Sequence, residues 1–226
     1  MNAKCFRLVE QYMLKCMKDS AHDKEHIYRV LYVALDIAEH EDNVDDDVLA
    51  VACLLHDIGR EEEFIDPSLD HAIVGAEKAT KFLMENGFSL DFAEAVSGCI
   101  KAHRFQSSIP PHTIEEKILF DSDKVDCTGV LGIARTIFYQ GAAGIPLYIV
   151  NGAGEIFCNV DDERHSFFRE YKFKLEGLYS KFYTKRAEEI ALQRQNSAKA
   201  FYENMLSEIG PVYGLGKQLF AEKIMS

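Results

Sequence analysis

The chain has 226 residues, 47% of them hydrophobic and 27% charged, which suits a globular protein with a sizeable core and excludes a fibrous or disordered one. A formal net charge of −12 argues against a nucleic-acid backbone or an anionic membrane as the main partner, because both favour a basic surface. No apolar run reaches the roughly 18 residues of a spanning helix.

In chain order, residues 4–18 place Phe6, Leu8, Val9, Tyr12, Met13 and Cys16 among charges, which predicts an amphipathic helix rather than a signal-peptide core. That helix is expected to end at Lys18-Asp19-Ser20, and Asp23 can cap a second helix. There Ile27, Val30, Leu31, Ala34, Ile37 and Ala38 recur at helical spacing, and His22, His26 and Arg29 share one face. The acidic turn 41–47 opens a third helix that is apolar nearly all round (Val48, Leu49, Val51, Ala52, Leu54, Leu55), closes on His56-Asp57 and stops at Gly59. Such a helix is buried. Two ionisable side chains at its end are costly unless they are paired or hold a metal. The plainer alternative is a buried histidine bonded to a nearby carbonyl.

An irregular acidic stretch is expected over 60–69, with Glu61-Glu62-Glu63 a solvated run that could alternatively supply a general base. A fourth helix over about 69–86 carries His71 and stops at Asn86-Gly87, and a fifth over 89–103 ends at Ala102-His103. Residues 107–111 (Ser-Ser-Ile-Pro-Pro) read as a loop, and 113–140 as one helix bearing Asp121, Lys124 and Arg135. The glycine-rich segment 141–161 could hold a small β-hairpin or flap. Aromatic-rich helices follow over 162–208, and Gly210-Pro211 is expected to set off a last short helix. The stripe Phe167, Phe168, Tyr171, Phe173, Leu175, Leu178, Tyr179, Phe182 and Tyr183 is expected to form core or a homodimer face. The fold class is all-α, a single domain with a helical C-terminal extension.

The six cysteines (Cys5, Cys16, Cys53, Cys99, Cys127, Cys158) are scattered without a CxxC, so reduced thiols in the cytoplasm are expected. Gly214-Leu215-Gly216-Lys217-Gln218 lacks the earlier glycine, the following Ser or Thr and the preceding strand of a phosphate loop. His40, His112 and His165 stand in polar surroundings and read as surface residues.

The residues able to bind a divalent cation near helix ends are His26, His56, Asp57, His71, His103 and Asp121. A helical bundle can bring such positions together. Their mixture of imidazoles and carboxylates suits Mn, Fe, Co, Ni or Zn, with Mg also admissible. An ion held this way lowers the pKa of bound water.

The order His26, His56-Asp57, Asp121 resembles the HD-domain metal-dependent phosphohydrolases, whose signature is His…His-Asp…Asp. The flanks extend the likeness: Ala21-His22-Asp23-x-x-His26-x-x-Arg29-Val30, Leu54-Leu55-His56-Asp57-Ile58-Gly59 and His71-x-x-x-Gly75-Ala76. Ala102-His103, Asp121-Ser122-Asp123-Lys124-Val125-Asp126 and Gly132-Ile133-Ala134-Arg135-Thr136 continue it, and Thr184…Ala187…Ala191…Arg194 matches a compact single-domain branch. The resemblance covers about residues 20–205. It implies an HD-type bundle in which His26, His56, Asp57 and Asp121 bind one metal. His71 and His103 stand where two-metal members add ligands, and can instead contact water or substrate phosphate. The Glu-Asp pair of the (p)ppGpp hydrolases and the Gly-Tyr-Pro motif of the cyclic-di-GMP hydrolases are missing, which disfavours both substrates.

The resemblance implies hydrolysis of a small phosphorylated metabolite, with nucleotides as the leading class. Asp57 would hold metal and take a proton from water, and Lys124 would stabilise phosphoryl charge. Arg29, Arg60, Lys124 and Arg135 are candidate phosphate-binding cations, and His22 a candidate pocket residue. The alternative is a metal- and nucleotide-binding sensor without turnover.

Overall fold

The computed structural model describes residues 1–17, 24–104, 109–151, 155–157 and 164–225. His22 and the expected cap Asp23 lie outside the described residues, as do the helix end at 18–20 and the loop start at 107–108. The chain resolves into two compact units, Met1–Asp126 with Phe182–Glu188, and Cys127–Lys181 with Glu189–Ser226.

The first unit contains α1 (Ala3–Cys16), α2 (Lys24–Ala38), α3 (Asp46–Leu55), α4 (Arg60–Ile65), α5 (His71–Glu85), α6 (Leu90–Ala102) and α7 (Ile114–Asp126). Four helix starts are closed by short polar side chains that accept backbone N–H groups: Asn2 for α1, Asp45 for α3, Asp70 for α5 and Ser89 for α6. In α3, Val48, Leu49, Val51, Ala52, Cys53, Leu54 and Leu55 are all buried, as expected of a helix apolar on every side. It packs against α1, α2, α5, α6 and α7 and is the axis of the unit. Its C-terminal end therefore lies in the interior. Residues 60–65 are not irregular but form the short helix α4, with the three glutamates in its first turn, where the helix dipole favours negative charge.

In the second unit, α8 (Gly129–Ala142) is separate from α7, where the sequence reads as one helix. The break falls at Cys127-Thr128, and Gly129 takes a left-handed φ of +71° that a continuing helix cannot accommodate. The glycine-rich segment does hold a short antiparallel ladder, β1 (Ile149–Val150) with β2 (Ile156–Phe157), pairing Ile149 with Phe157 and Val150 with Ile156. A four-residue helix α9 (Phe167–Glu170) runs on into a π turn at Tyr171–Leu175, and a 3₁₀ turn follows at Leu178–Ser180. Phe167, Phe168, Tyr171, Leu175, Leu178 and Tyr179 are buried, so this part of the aromatic stripe is core, while Phe173 is exposed. Tyr171 stacks on Tyr202 with centroids 4.1 Å apart.

The helix α10 (Lys185–Ile224) runs for 40 residues, straight through Gly210-Pro211 where a break is expected. Pro211 forfeits one backbone donor, a cost of about 3 kcal/mol in a helix interior, yet flanking turns keep the helical path. Among the described residues no helix is long and apolar enough to cross a membrane.

Candidate metal centre

Six side chains carried by five helices, or by the residues just after them, meet in the first unit. His26 sits in the first turn of α2, His56 and Asp57 directly follow α3, and His71 opens α5. His103 follows α6, and Asp123 is on α7. His26, His56, Asp57, His71 and His103 are almost fully buried. Glycine sets one of these approaches: a Cβ on Gly59 would lie 2.3 Å from the His71 carbonyl oxygen and 2.7 Å from the Gly75 nitrogen. Only a residue without a side chain lets the turn after Asp57 reach the start of α5.

Three of the four imidazoles are hydrogen-bonded through Nδ1. His56 Nδ1 donates to the Cys53 carbonyl at 2.8 Å, and His103 Nδ1 to the Ile100 carbonyl at 2.6 Å. His26 Nδ1 donates to Asp126 Oδ2 at 2.8 Å, and Arg29 grips the same carboxylate through Nε at 2.7 Å and Nη2 at 3.1 Å. His71 Nδ1 lies 2.8 Å from Glu63 Oε2. Carbonyl and carboxylate oxygens only accept, so the Nδ1 atoms of His26, His56 and His103 carry the protons and their Nε2 lone pairs face inward.

The inward atoms form two sets around Asp57. On one side, His26 and His56 Nε2 are 3.4 Å apart, each is 3.6 Å from Asp57 Oδ2, and His26 Nε2 is 3.4 Å from Asp123 Oδ1. On the other side, His71 and His103 Nε2 are 3.3 Å apart and lie 3.7 and 3.6 Å from Asp57 Oδ1. Arg60 Nε donates to that same Oδ1 at 2.9 Å. Asp57 Oδ2 is buried and has no hydrogen-bond donor among the described residues.

This donor set fits a divalent cation. Ligand atoms about 2.0–2.2 Å from a shared ion stand roughly 3.3–3.6 Å from one another in a tetrahedral shell, and the four separations given above for the Oδ2 side fall in that range. Burial pushes the His56 imidazole down to about 4 against the pull of Asp57, which keeps it a neutral ligand. Burial would raise the Asp57 carboxyl, but the Arg60 guanidinium beside its Oδ1 holds it well below the usual range.

One expected ligand is engaged elsewhere in the structure. Asp121 accepts the backbone N–H groups of Tyr183 (3.0 and 2.9 Å) and Thr184 (2.7 Å) and the Thr184 hydroxyl (2.7 Å). Two residues on, Asp123 points the other way around the helix, toward His26 and His56. The remaining expected site residues are placed as follows. Lys124 is buried with its ammonium over the Phe120 ring, 2.9 Å from the centroid. Arg29 serves Asp126, Arg60 serves Asp57 and Glu63, and Arg135 belongs to α8 of the second unit.

Asp123, Asp126, Glu63 and Arg104 are parts of the site that the sequence pattern alone did not single out. Signals exist for Asp123 and Asp126, in the acidic spacing along α7 and in the His26-x-x-Arg29 face that Asp126 meets. Arg104 Nη1 contacts Glu63 Oε1 at 3.2 Å and Asp70 Oδ2 at 2.8 Å.

Known proteins share this fold. YpgQ of Bacillus subtilis (strain 168) is 27% identical over 197 residues, covering 85% of this chain and 86% of its own. A crystal structure of YpgQ in complex with ADP has a TM-score of 0.68 at 25% identity, over 90% of this chain and 97% of the other. A protein from an uncultured Thermotogales bacterium, described as a predicted HD superfamily hydrolase, is 27% identical, with a TM-score of 0.60 over 92% of this chain and 99% of the other. A Lactobacillus plantarum protein shares the fold, with a TM-score of 0.74 at 19% identity over 92% and 98%. The HD domain family matches residues 24–128, the span that holds every candidate ligand from His26 to Asp123, and in fold and sequence the chain is similar to proteins described as HD-superfamily hydrolases.

Proposed function

We propose that this chain is a metal-dependent phosphohydrolase that cleaves a small phosphorylated metabolite, a nucleotide being the leading class, with one divalent ion held by His26, His56, Asp57 and Asp123. The observation that carries this reading is Asp57 Oδ2, a buried ionised oxygen with no hydrogen-bond donor among the described residues, facing two Nε2 lone pairs at 3.6 Å. Leaving a charge so placed uncompensated is strongly unfavourable.

A divalent ion supplies Lewis acidity and makes a water nucleophilic near neutral pH. The chain's own residues do the rest. Arg60 compensates the other oxygen of Asp57, which supports a single ion on the Oδ2 side. His71 and His103 present Nε2 lone pairs beside Asp57 Oδ1, where they can hold a water proton or a protonated phosphate oxygen. Arg60 and Arg104 are only partly buried at the edge of the cluster, and fixed cations there suit the charge a phosphoryl group spreads over its oxygens. The ADP complex of YpgQ supports the nucleotide class.

The test is release of phosphate and of pyrophosphate over a panel of nucleotides and sugar phosphates, with Mn, Co, Ni or Mg added. Release from nucleotides with a bound ion is expected. Silence across the panel by protein that holds its ion would overturn the enzymatic reading in favour of a sensor.

A further inference from the structure

Of the three consecutive glutamates, Glu63 is set apart by what it touches. Glu62 pairs with Lys78 at 2.6 Å. Glu63 Oε2 lies 2.8 Å from His71 Nδ1 and 3.3 Å from Arg60 Nη1, and Oε1 lies 3.2 Å from Arg104 Nη1. These contacts close two rings. In the first, Asp57 Oδ1 takes Arg60, Arg60 reaches Glu63, Glu63 meets His71, and His71 Nε2 returns to 3.7 Å from Asp57 Oδ1. In the second, Glu63 meets Arg104, Arg104 meets Asp70, and Asp70 caps α5, the helix whose first residue is His71. The Glu63–His71 contact is the edge the two rings share.

We propose that Glu63 is a positioning residue for the hydrolytic reaction: it fixes His71 as the Nδ1–H tautomer, turns its Nε2 toward His103 and Asp57, and holds Arg60 against Asp57. The inference rests on the hydrolase reading. Glu63 acts through His71 and Arg60, without touching the reacting atoms. Core packing does not explain it, because no residue of α4 is buried. Its conformation is instead fixed by one imidazole and two guanidiniums, and a carboxylate beside one ring nitrogen sets which nitrogen of an imidazole carries the proton and how the ring is turned.

The experiment uses the full chain loaded with Mn, the best nucleotide from the panel, and the variants Glu63→Gln and Glu63→Asp, with Glu61→Gln as control. Glu63→Gln is expected to lower kcat roughly 10–100-fold, the usual cost of losing such a carboxylate, with KM and ion content retained. Glu63→Asp should recover part of that loss, and Glu61→Gln should keep the parent rate. In the metal-free chain, the long-range ¹H–¹⁵N correlations of His71 should move away from the Nδ1–H pattern in Glu63→Gln and stay in place in Glu61→Gln. Three results overturn the proposal: an unchanged kcat with an unchanged His71 pattern, a rise in KM at constant kcat, or loss of the ion or of the thermal transition. The hydrolase reading fails separately, by silence of the parent chain, and the His71 spectrum then still tests the orienting role.

Discussion

The two sides of Asp57 are built from the same parts and balanced differently. Each has two imidazoles about 3.3–3.4 Å apart and one carboxylate oxygen at 3.6–3.7 Å. On the Oδ1 side a guanidinium already supplies positive charge, and Glu63 joins that guanidinium to His71. On the Oδ2 side stand a second carboxylate, Asp123, and an oxygen with no donor among the described residues. Similar spacing thus coexists with opposite electrostatic demand. A cation is needed to balance one side, whereas the other is largely compensated by the chain itself.

The sharpest way to break this contrast is Asp57→Ala, which removes the carboxylate common to both sides. Ion content after dialysis, measured by elemental analysis, should fall to background and hydrolysis should vanish with it. Next comes the pair on α7. Asp123→Ala should strip the ion while leaving the thermal transition nearly in place. Asp121→Ala should keep the ion and cost about 2–3 kcal/mol in denaturant unfolding, because backbone donors of Tyr183 and Thr184 lose their acceptor. The opposite pattern would restore Asp121 as ligand and sink the assignment of Asp123. A smaller effect is expected from Asp126→Ala, roughly 10–100-fold weaker ion affinity in a competition with a chelator, through loss of the His26 partner. Arg29→Ala should act in the same direction and more weakly. Smallest on this scale is His71→Ala, which should leave one ion per chain. A drop from two ions to one would show that the Oδ1 side also holds metal.

The HD signature is legible wherever side-chain chemistry and helical phase agree. The apolar surroundings of α3 require His56 and Asp57 to be interior, and the structure places them there. Along α7 that logic does not decide between Asp121 and Asp123, since both fall among inward residues such as Leu119, Phe120 and Val125. The choice is made by backbone donors 62 and 63 positions downstream, which no local pattern contains. Glu63 is hidden for a related reason: three glutamates in a row look alike, and only the return of α5 and Arg104 singles one out. Lys124, one turn beyond Asp121, lays its ammonium on the Phe120 ring, a contact made within the same helix. The break at Thr128 and the passage of α10 through Pro211 are decided by a left-handed glycine and by the helix on either side of the proline, against the weaker local signals.

The clasp between Asp121 and the Tyr183–Thr184 backbone also has a meaning in time. A ribosome releases the chain from its N-terminus, so Asp121 emerges well before the donors that satisfy it, 62 residues further on. Burial pushes the pKa of this carboxyl up, against the pull of those donors. Until residues 182–188 arrive, the nascent first unit carries a costly polar group in its interior and lacks part of its own fold. Completion of the first unit, which carries the candidate metal centre, is therefore tied to synthesis of most of the chain, a long-range closure of the kind that slows folding. A stalled or shortened product ending near residue 126 would hold every candidate ligand of the centre and still be missing the segment that finishes it.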